Sequence, residues 1–200
     1  MKKKSNAQEF LDVLKVNGIT KLYHFTDRAN LDSIIKSGGL YSWKDCEEKE
    51  IDIPYPGGGT LSRSLDSRSR LEHYVRVSFV PDHPMKFVAM NEGRLVNPVL
   101  LEIDLNMALM EGILYSDRNA ARNGAVYGKE LNDLKRIHFQ TIKNRYFNLG
   151  DEEKPFYQAE ILVPHFIPLD YITNISCFGI TLPALKQVSE SKTSYSAQIT

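Results

Sequence analysis

The residue with the clearest chemical potential is Glu160, in the stretch Phe156–Val163, Phe-Tyr-Gln-Ala-Glu-Ile-Leu-Val. Its aromatic and β-branched residues predict a strand. Period-2 alternation puts Tyr157, Ala159, Ile161 and Val163 on one face and Gln158 and Glu160 on the other. A carboxylate in an apolar strand loses hydration, so it belongs either on a wet edge or beside groups that compensate its charge. In the second case it can stabilise a developing positive charge or take a proton from an attacking group. Gln158 adds an amide that both donates and accepts. Arg63, in Ser62-Arg63-Ser64-Leu65-Asp66, offers a planar fork of donors suited to carboxylate or phosphate. His24, in Tyr23-His24-Phe25-Thr26, taken alone reads as a hydrogen-bonded structural histidine, and only within a pattern with Thr26 and Asn30 as a positioning donor rather than a metal ligand.

Composition narrows the classes. The chain has 200 residues, 25 basic and 25 acidic, so net charge gives no general reason to bind nucleic acid. The local distribution is uneven. Between Ser116 and Tyr146 seven basic residues (Arg118, Arg122, Lys129, Lys135, Arg136, Lys143, Arg145) face three acidic ones. Tyr127, Phe139 and Tyr146 are interleaved with them, a composition that suits an unpaired polynucleotide. The two cysteines, Cys46 and Cys177, form no disulfide framework, which points to a reducing cytoplasm. The five histidines (His24, His73, His83, His138, His165) lack ligand spacing, so no metal is expected. Polar residues after Lys2-Lys3-Lys4 exclude a signal peptide, and no apolar run is long enough to span a membrane.

The elements that must position these residues follow from periodicity. Ser5 and Gln8 form a capping-box pattern before a helix carrying Phe10, Val13 and Leu14, ended by Gly18. Leu22–Phe25 is a short strand. Thr26 or Asp27 caps a second helix with Leu31, Ile34 and Ile35, stopped by Gly38-Gly39. From Tyr41 to Arg70 there is no sustained period, and Gly57-Gly58-Gly59 lacks the Lys-Ser/Thr of a phosphate cradle, so a long flexible loop is predicted. His73–Val80 alternates, with Val75, Val77 and Phe79 opposite Tyr74, Arg76 and Ser78, and Asp82-His83-Pro84 reads as a turn. Further strands are predicted at Val99–Asp104, Ile113–Tyr115 and within Tyr171–Phe178, with helices near Asn106–Met110 and along Leu131, Leu134 and Ile137. The order of elements favours α+β over a regular βαβ alternation. Residues 1–188 read as one domain, with 189–200 a flexible tail.

Four segments in order carry a family resemblance: Tyr23-His24-Phe25-Thr26 with Asn30, Tyr74-Val75, Tyr115-Ser116-Asp117-Arg118-Asn119-Ala120-Ala121, and Gln158-Ala159-Glu160. Together they resemble the DarT-type nucleic-acid ADP-ribosyltransferases from about Leu22 to Ile175. The resemblance implies an ADP-ribosyltransferase-like fold, with two packed, mainly antiparallel sheets and flanking helices around an NAD cleft. It implies an NAD-dependent transfer of ADP-ribose to a base in single-stranded DNA, favoured over RNA. The expected biology is the toxin of a toxin–antitoxin or phage-defence system, with a macrodomain antidote.

By position, the resemblance makes Glu160 the catalytic glutamate and brings Arg63 near the family's catalytic arginine. It assigns His24, Thr26 and Asn30 to NAD, and Tyr74 as an aromatic wall. Gln158, Asp117, Arg118, Asn119 and Arg122 fall to the acceptor strand. Where the best-known thymine-modifying members carry Tyr-Val-Pro-Phe-Tyr-Phe, this chain has Tyr74-Val75-Arg76-Val77-Ser78-Phe79, which leaves thymine or guanine as the base. Transfer to RNA or protein, or a non-catalytic NAD- or nucleic-acid-binding module on the same scaffold, are the alternatives.

Overall fold

The computed structural model describes residues 1–177 and 180–182. The expected flexible tail, and with it the end of the expected domain, lie outside these residues. Ten strands alternate with eight helices among the described residues. The strands are β1 (Lys21–Asp27), β2 (Gly39–Tyr41), β3 (Tyr74–Ser78), β4 (Pro98–Asp104), β5 (Leu114–Ser116), β6 (Tyr127–Gly128), β7 (Glu160–Pro164), β8 (Phe166–Pro168), β9 (Ile172–Cys177) and β10 (Ile180–Leu182). The helices are α1 (Ala7–Val16), α2 (Leu31–Lys36), α3 (Trp43–Glu48), α4 (Thr60–Ser69), α5 (Pro84–Asn91), α6 (Leu131–Lys135), α7 (Phe139–Lys143) and α8 (Lys154–Tyr157).

Eight strands form one antiparallel sheet in the order β10-β9-β4-β1-β3-β7-β5-β6, and β2 pairs with β8 in a small second sheet. The expected α+β, ADP-ribosyltransferase-like architecture is what forms. The large sheet has a seam. β1 pairs with β4 through seven registered positions, from Lys21↔Asp104 to Asp27↔Pro98, but with β3 through Tyr23↔Ser78 alone. Two four-stranded halves therefore meet at the β1–β3 junction. Along β7, Ile161 and Val163 join the main core with Val75, Val77 and Tyr115, whereas Leu162 joins a separate cluster with Leu71 and Ala120. By the same alternation Glu160 lies on the Leu162 face, away from the main core. Phe10 and Leu14 of α1 close that core, Phe10 stacking on Tyr115 with centroids 5.5 Å apart.

Several local expectations change. The Phe156–Val163 strand begins only at Glu160, because Phe156 and Tyr157 belong to α8, which starts around Pro155. Proline suits a first helical turn and cannot donate to a sheet ladder. Gln158 caps that helix instead of sharing a strand face with Glu160. The Tyr41–Arg70 loop contains α3 and α4. Asn6, not Ser5, precedes α1 as its cap residue, while Gly18 ends the helix with φ of 73° as expected. Asp82-His83-Pro84 leads into α5, with His83 as its cap and Pro84 in the first turn. Asp27 proves to be the cap after β1, accepting from the Ala29 N–H at 2.9 Å. No helix among the described residues is long and apolar enough to cross a membrane.

Candidate active site

The seam opens into a cavity lined from β1 by His24 and Thr26, from β3 by Tyr74 and Arg76, and from β7 by Glu160. Asn30, Arg63, Asp66, His83, Arg94 and Asn119 add to its polar lining, with Tyr41 to Trp43 and Pro56 to Gly59 as further wall. Seven residues singled out in the sequence are thus brought together: His24, Thr26, Asn30, Arg63, Tyr74, Asn119 and Glu160. Gln158, Asp117, Arg118 and Arg122 are not part of the lining.

Glu160 is buried, 4% exposed, and stands opposite Ser78 of β3 and Ser116 of β5. Its Oε2 accepts from Arg76 Nη1 at 2.6 Å and from the Ala120 N–H at 3.4 Å. The other arm of the same guanidinium, Nη2, donates to Asp66 of α4. Two buried carboxylates therefore share one cation. Burial pushes the Glu160 carboxyl above the usual carboxylate range despite Arg76, and burial does the same to Asp66, with Glu160 adding to the effect. Such a carboxylate is a stronger proton acceptor than a surface one, and the adjacent cation favours its ionised form.

Arg76 and Asp66 are the site residues that the sequence reading did not assign. The signal was present: Arg76 alternates with Val75 and Val77, so it shares a face with Tyr74 and Ser78. The role expected of Arg63 divides. Its side chain lines the cavity, but its charge faces Glu47 at 3.5 Å and its guanidinium lies 5.3 Å from the centre of the Trp43 ring. Arg63 Nε is buried and has no hydrogen-bond partner among the described residues.

His24, Thr26 and Asn30, the residues expected to meet NAD, differ in their bonding. His24 Nδ1 lies 2.8 Å from the Arg76 carbonyl, where pairing between β1 and β3 has stopped. Burial lowers the His24 pKa, so the ring is neutral at pH 7, its N–H is spent on that carbonyl, and Nε2 is left as an acceptor. The donor role expected of His24 thereby becomes an acceptor role. Asn30 Nδ2 donates to Thr26 Oγ1 at 3.0 Å and to the Tyr55 carbonyl at 2.7 Å, while its Oδ1 accepts from the Tyr55 N–H at 3.0 Å. Its amide fastens the Tyr55–Gly59 segment into the cavity wall. Thr26 keeps its hydroxyl hydrogen for a further partner.

Among the residues expected to meet the acceptor strand, Asp117 is buried and ties down its own loop. It accepts from the Val126 N–H at 3.0 Å and holds Arg118 through two bonds of 3.1 and 2.8 Å. Arg118 in turn lies 4.4 Å from the centre of the Phe156 ring, which stacks on His138 at 3.9 Å. Asn119 Oδ1 accepts from the Ala121 N–H at 3.0 Å and shapes the turn that aims Ala120 at Glu160. Arg122 is exposed. Of the interleaved aromatics, Phe139 is buried in the core and Tyr146 packs against it, whereas the neighbouring Phe147 is 94% exposed.

Comparison with known proteins places the chain in a family. Residues 23–184 match the family described as "ssDNA thymidine ADP-ribosyltransferase, DarT". The chain belongs to the DarT family. It is an NAD-dependent DNA ADP-ribosyltransferase by that membership, as the four resembling segments imply. Among individual DarT-family relatives, a DNA ADP-ribosyl transferase of Thermus aquaticus is 26% identical over 177 residues, 82% of this chain and 78% of the relative. The fold superposes on Thermus sp. 2.9 DarT solved with NAD+ at a TM-score of 0.60 and 22% identity, covering 90% of this chain and 89% of that one. It superposes on Thermosipho africanus DarTG solved with ADP-ribose at a TM-score of 0.68 and 21% identity, covering 86% of this chain and 47% of that one.

Proposed function

We propose that this DarT-family chain transfers ADP-ribose from NAD to a base of single-stranded DNA at the seam cavity, with thymidine as the acceptor nucleoside. The observation that carries the reading is the Asp66–Arg76–Glu160 group. It presents one buried carboxylate, raised in pKa yet held beside a cation, to a cavity that Arg63 also lines and in which His24 Nε2 is an acceptor. The family description supplies thymidine. Thermus sp. 2.9 DarT, which shares the fold, has been solved with ADP-ribosylated ssDNA.

NAD supplies the ribose carbon and leaves as nicotinamide, taking the electron pair of the broken C–N bond. Glu160 stabilises the positive charge that develops on the ribose, as carboxylates do in glycoside cleavage, and then takes the proton released as the base nitrogen bonds to that carbon. Arg76 holds Glu160 in one orientation and keeps it ionised. Arg63, Thr26 and His24 position the co-substrate, Tyr74 walls it, and Asn30 holds the Tyr55–Gly59 segment against it. Arg122 and Arg118 lie on the chain segment that leads from the site, where phosphates are met; Gln158, the cap of α8 two residues before β7, is the remaining residue given to the acceptor strand. An unpaired base is required because a stacked, paired one cannot enter the cavity.

A toxin role with a macrodomain antidote completes the proposal. It is supported by the family resemblance and by the match to DarTG, of which this chain accounts for 47%. The test is mass spectrometry of DNA and RNA oligonucleotides, each with one of the four bases varied, after incubation with NAD and either the native chain or Glu160→Ala. A gain of one ADP-ribose on thymine in DNA, absent with the variant, is expected. Modification of RNA alone, of guanine alone, or undiminished transfer by Glu160→Ala would each overturn the corresponding part.

A further inference from the structure

Outside the cavity lining, three side chains far apart in sequence meet: Asp45 of α3, His73 just before β3, and His165 in the turn between β7 and β8. Asp45 Oδ2 lies 3.3 Å from His73 Nδ1, and Asp45 Oδ1 lies 3.1 Å from His165 Nδ1. One ligand atom from each residue fits within a 4.8 Å span, the only such group among the described residues. Around a tetrahedral zinc ion with bonds of about 2.0–2.1 Å, ligand atoms stand about 3.3 Å apart. The two imidazole–carboxylate separations are of that size but run to different oxygens of Asp45, so an ion would replace the two hydrogen bonds after a small turn of the carboxylate, within the 4.8 Å span the three residues already share.

The backbone holds the three in place. The His165 N–H donates to the His73 carbonyl at 2.6 Å, and the Ser42 N–H donates to the His165 carbonyl at 2.8 Å. The Ser42 hydroxyl donates to the buried Asp45 carboxylate and orients it. His165 adopts a left-handed φ of 64°, a conformation that asparagine or glycine takes at lower cost, and this turn brings its imidazole to Asp45. Nε2 of His73 faces Glu48 Oε1 at 3.9 Å, a charge neighbour beyond hydrogen-bond distance.

We infer that Asp45, His73 and His165 form a binding site for a zinc-class divalent ion. Two imidazoles and one carboxylate suit zinc, whereas magnesium and calcium favour all-oxygen shells. The His165 side chain is 63% exposed, which leaves a coordination position open to water. The ion would staple α3, whose cap Ser42 and first residue Trp43 wall the cavity, to the start of β3, the strand that carries Arg76, and to the far end of β7, the strand that begins with Glu160. Its role is architectural and does not depend on which base is modified.

The test is isothermal titration of the untagged, chelator-treated chain with zinc chloride, with magnesium chloride as the comparison. Zinc should bind once per chain, magnesium should give no heat, and zinc should raise the thermal unfolding midpoint. His165→Asn, which tolerates the left-handed turn, and Asp45→Asn should each weaken zinc binding by about tenfold or more. No zinc saturation below about 100 µM, or undiminished affinity in both variants, would overturn the site. Zinc-edge X-ray absorption on the native complex decides the matter even where a variant fails to fold, because a shell without imidazole nitrogen also overturns it.

Discussion

Asp27 and Glu160 are both buried carboxylates at strand ends of the same sheet, and their surroundings are opposite. Asp27, at the end of β1, is fully buried and accepts from three backbone N–H groups, those of Ala29 at 2.9 Å, Val96 at 2.7 Å and Asn97 at 2.8 Å. Burial alone would raise its pKa, but these three bonds outweigh it and hold the carboxyl below the usual range. Glu160, at the start of β7, accepts from one guanidinium that it shares with Asp66 and from one longer backbone bond, and burial wins. A carboxylate whose charge is fully satisfied is a structural pin. One whose charge is only half satisfied has capacity left for a substrate's developing positive charge.

Four predictions test this contrast. The largest effect is on transfer: Glu160→Gln should lower the rate of ADP-ribose attachment by about 10²–10⁴-fold, measured by oligonucleotide mass spectrometry, while the chain stays folded. Loss of less than tenfold would remove Glu160 from the chemistry.

Next comes the pair around it. Arg76→Met removes a charge-assisted bond of roughly 1.5–3 kcal/mol and should cost about 10- to 100-fold in kcat/KM. The guanidinium lowers the Glu160 pKa, so its loss should move the acidic limb of the pH–rate profile upward. Asp66→Asn removes a like charge and should move that limb downward. Shifts in the same direction for both variants would break the shared-cation account.

Third, Asp27→Asn should lower unfolding free energy by about 1–3 kcal/mol in denaturant titration at neutral pH. Because the folded pKa of Asp27 is depressed, its contribution is present above the unfolded carboxylate pKa and is lost as pH falls through the folded one. The difference between native and variant stability should therefore shrink on acidification.

The smallest effect has the opposite sign. The folded pKa of Glu160 is raised, so its contribution is favourable below the unfolded pKa and lost as pH rises through the folded one. Glu160→Gln should raise the neutral-pH thermal midpoint by about 2–4 °C, the size expected for roughly 1 kcal/mol in a chain of this length. A fall in midpoint would mean that the Arg76 pair stabilises the fold outright.

What the sequence determined by itself is local. β1, β3, β4 and β9 are legible because their alternation or apolar runs are short-range consequences of side-chain direction, and Asp27 and Gly18 mark boundaries through chemistry within three residues. Glu160 stood out because a carboxylate beside Ile161, Leu162 and Val163 is costly wherever that strand lies.

The tertiary structure decided what a one-dimensional pattern cannot carry. α4 was hidden because its sequence, Thr-Leu-Ser-Arg-Ser-Leu-Asp-Ser-Arg-Ser, has only two apolar residues, and it ends on a left-handed Arg70 instead of a glycine. The start of β7 was misplaced because the strand is covered on both faces, which erases the alternation that marks an edge. Whether Glu160 meets Arg63 or Arg76, whether Asn30 reaches a ligand or Tyr55, and whether His73 and His165 meet Asp45 depend on contacts between residues tens of positions apart. Only packing sets those distances, because each is the sum of many weak contacts along the intervening chain and no single residue pair encodes it.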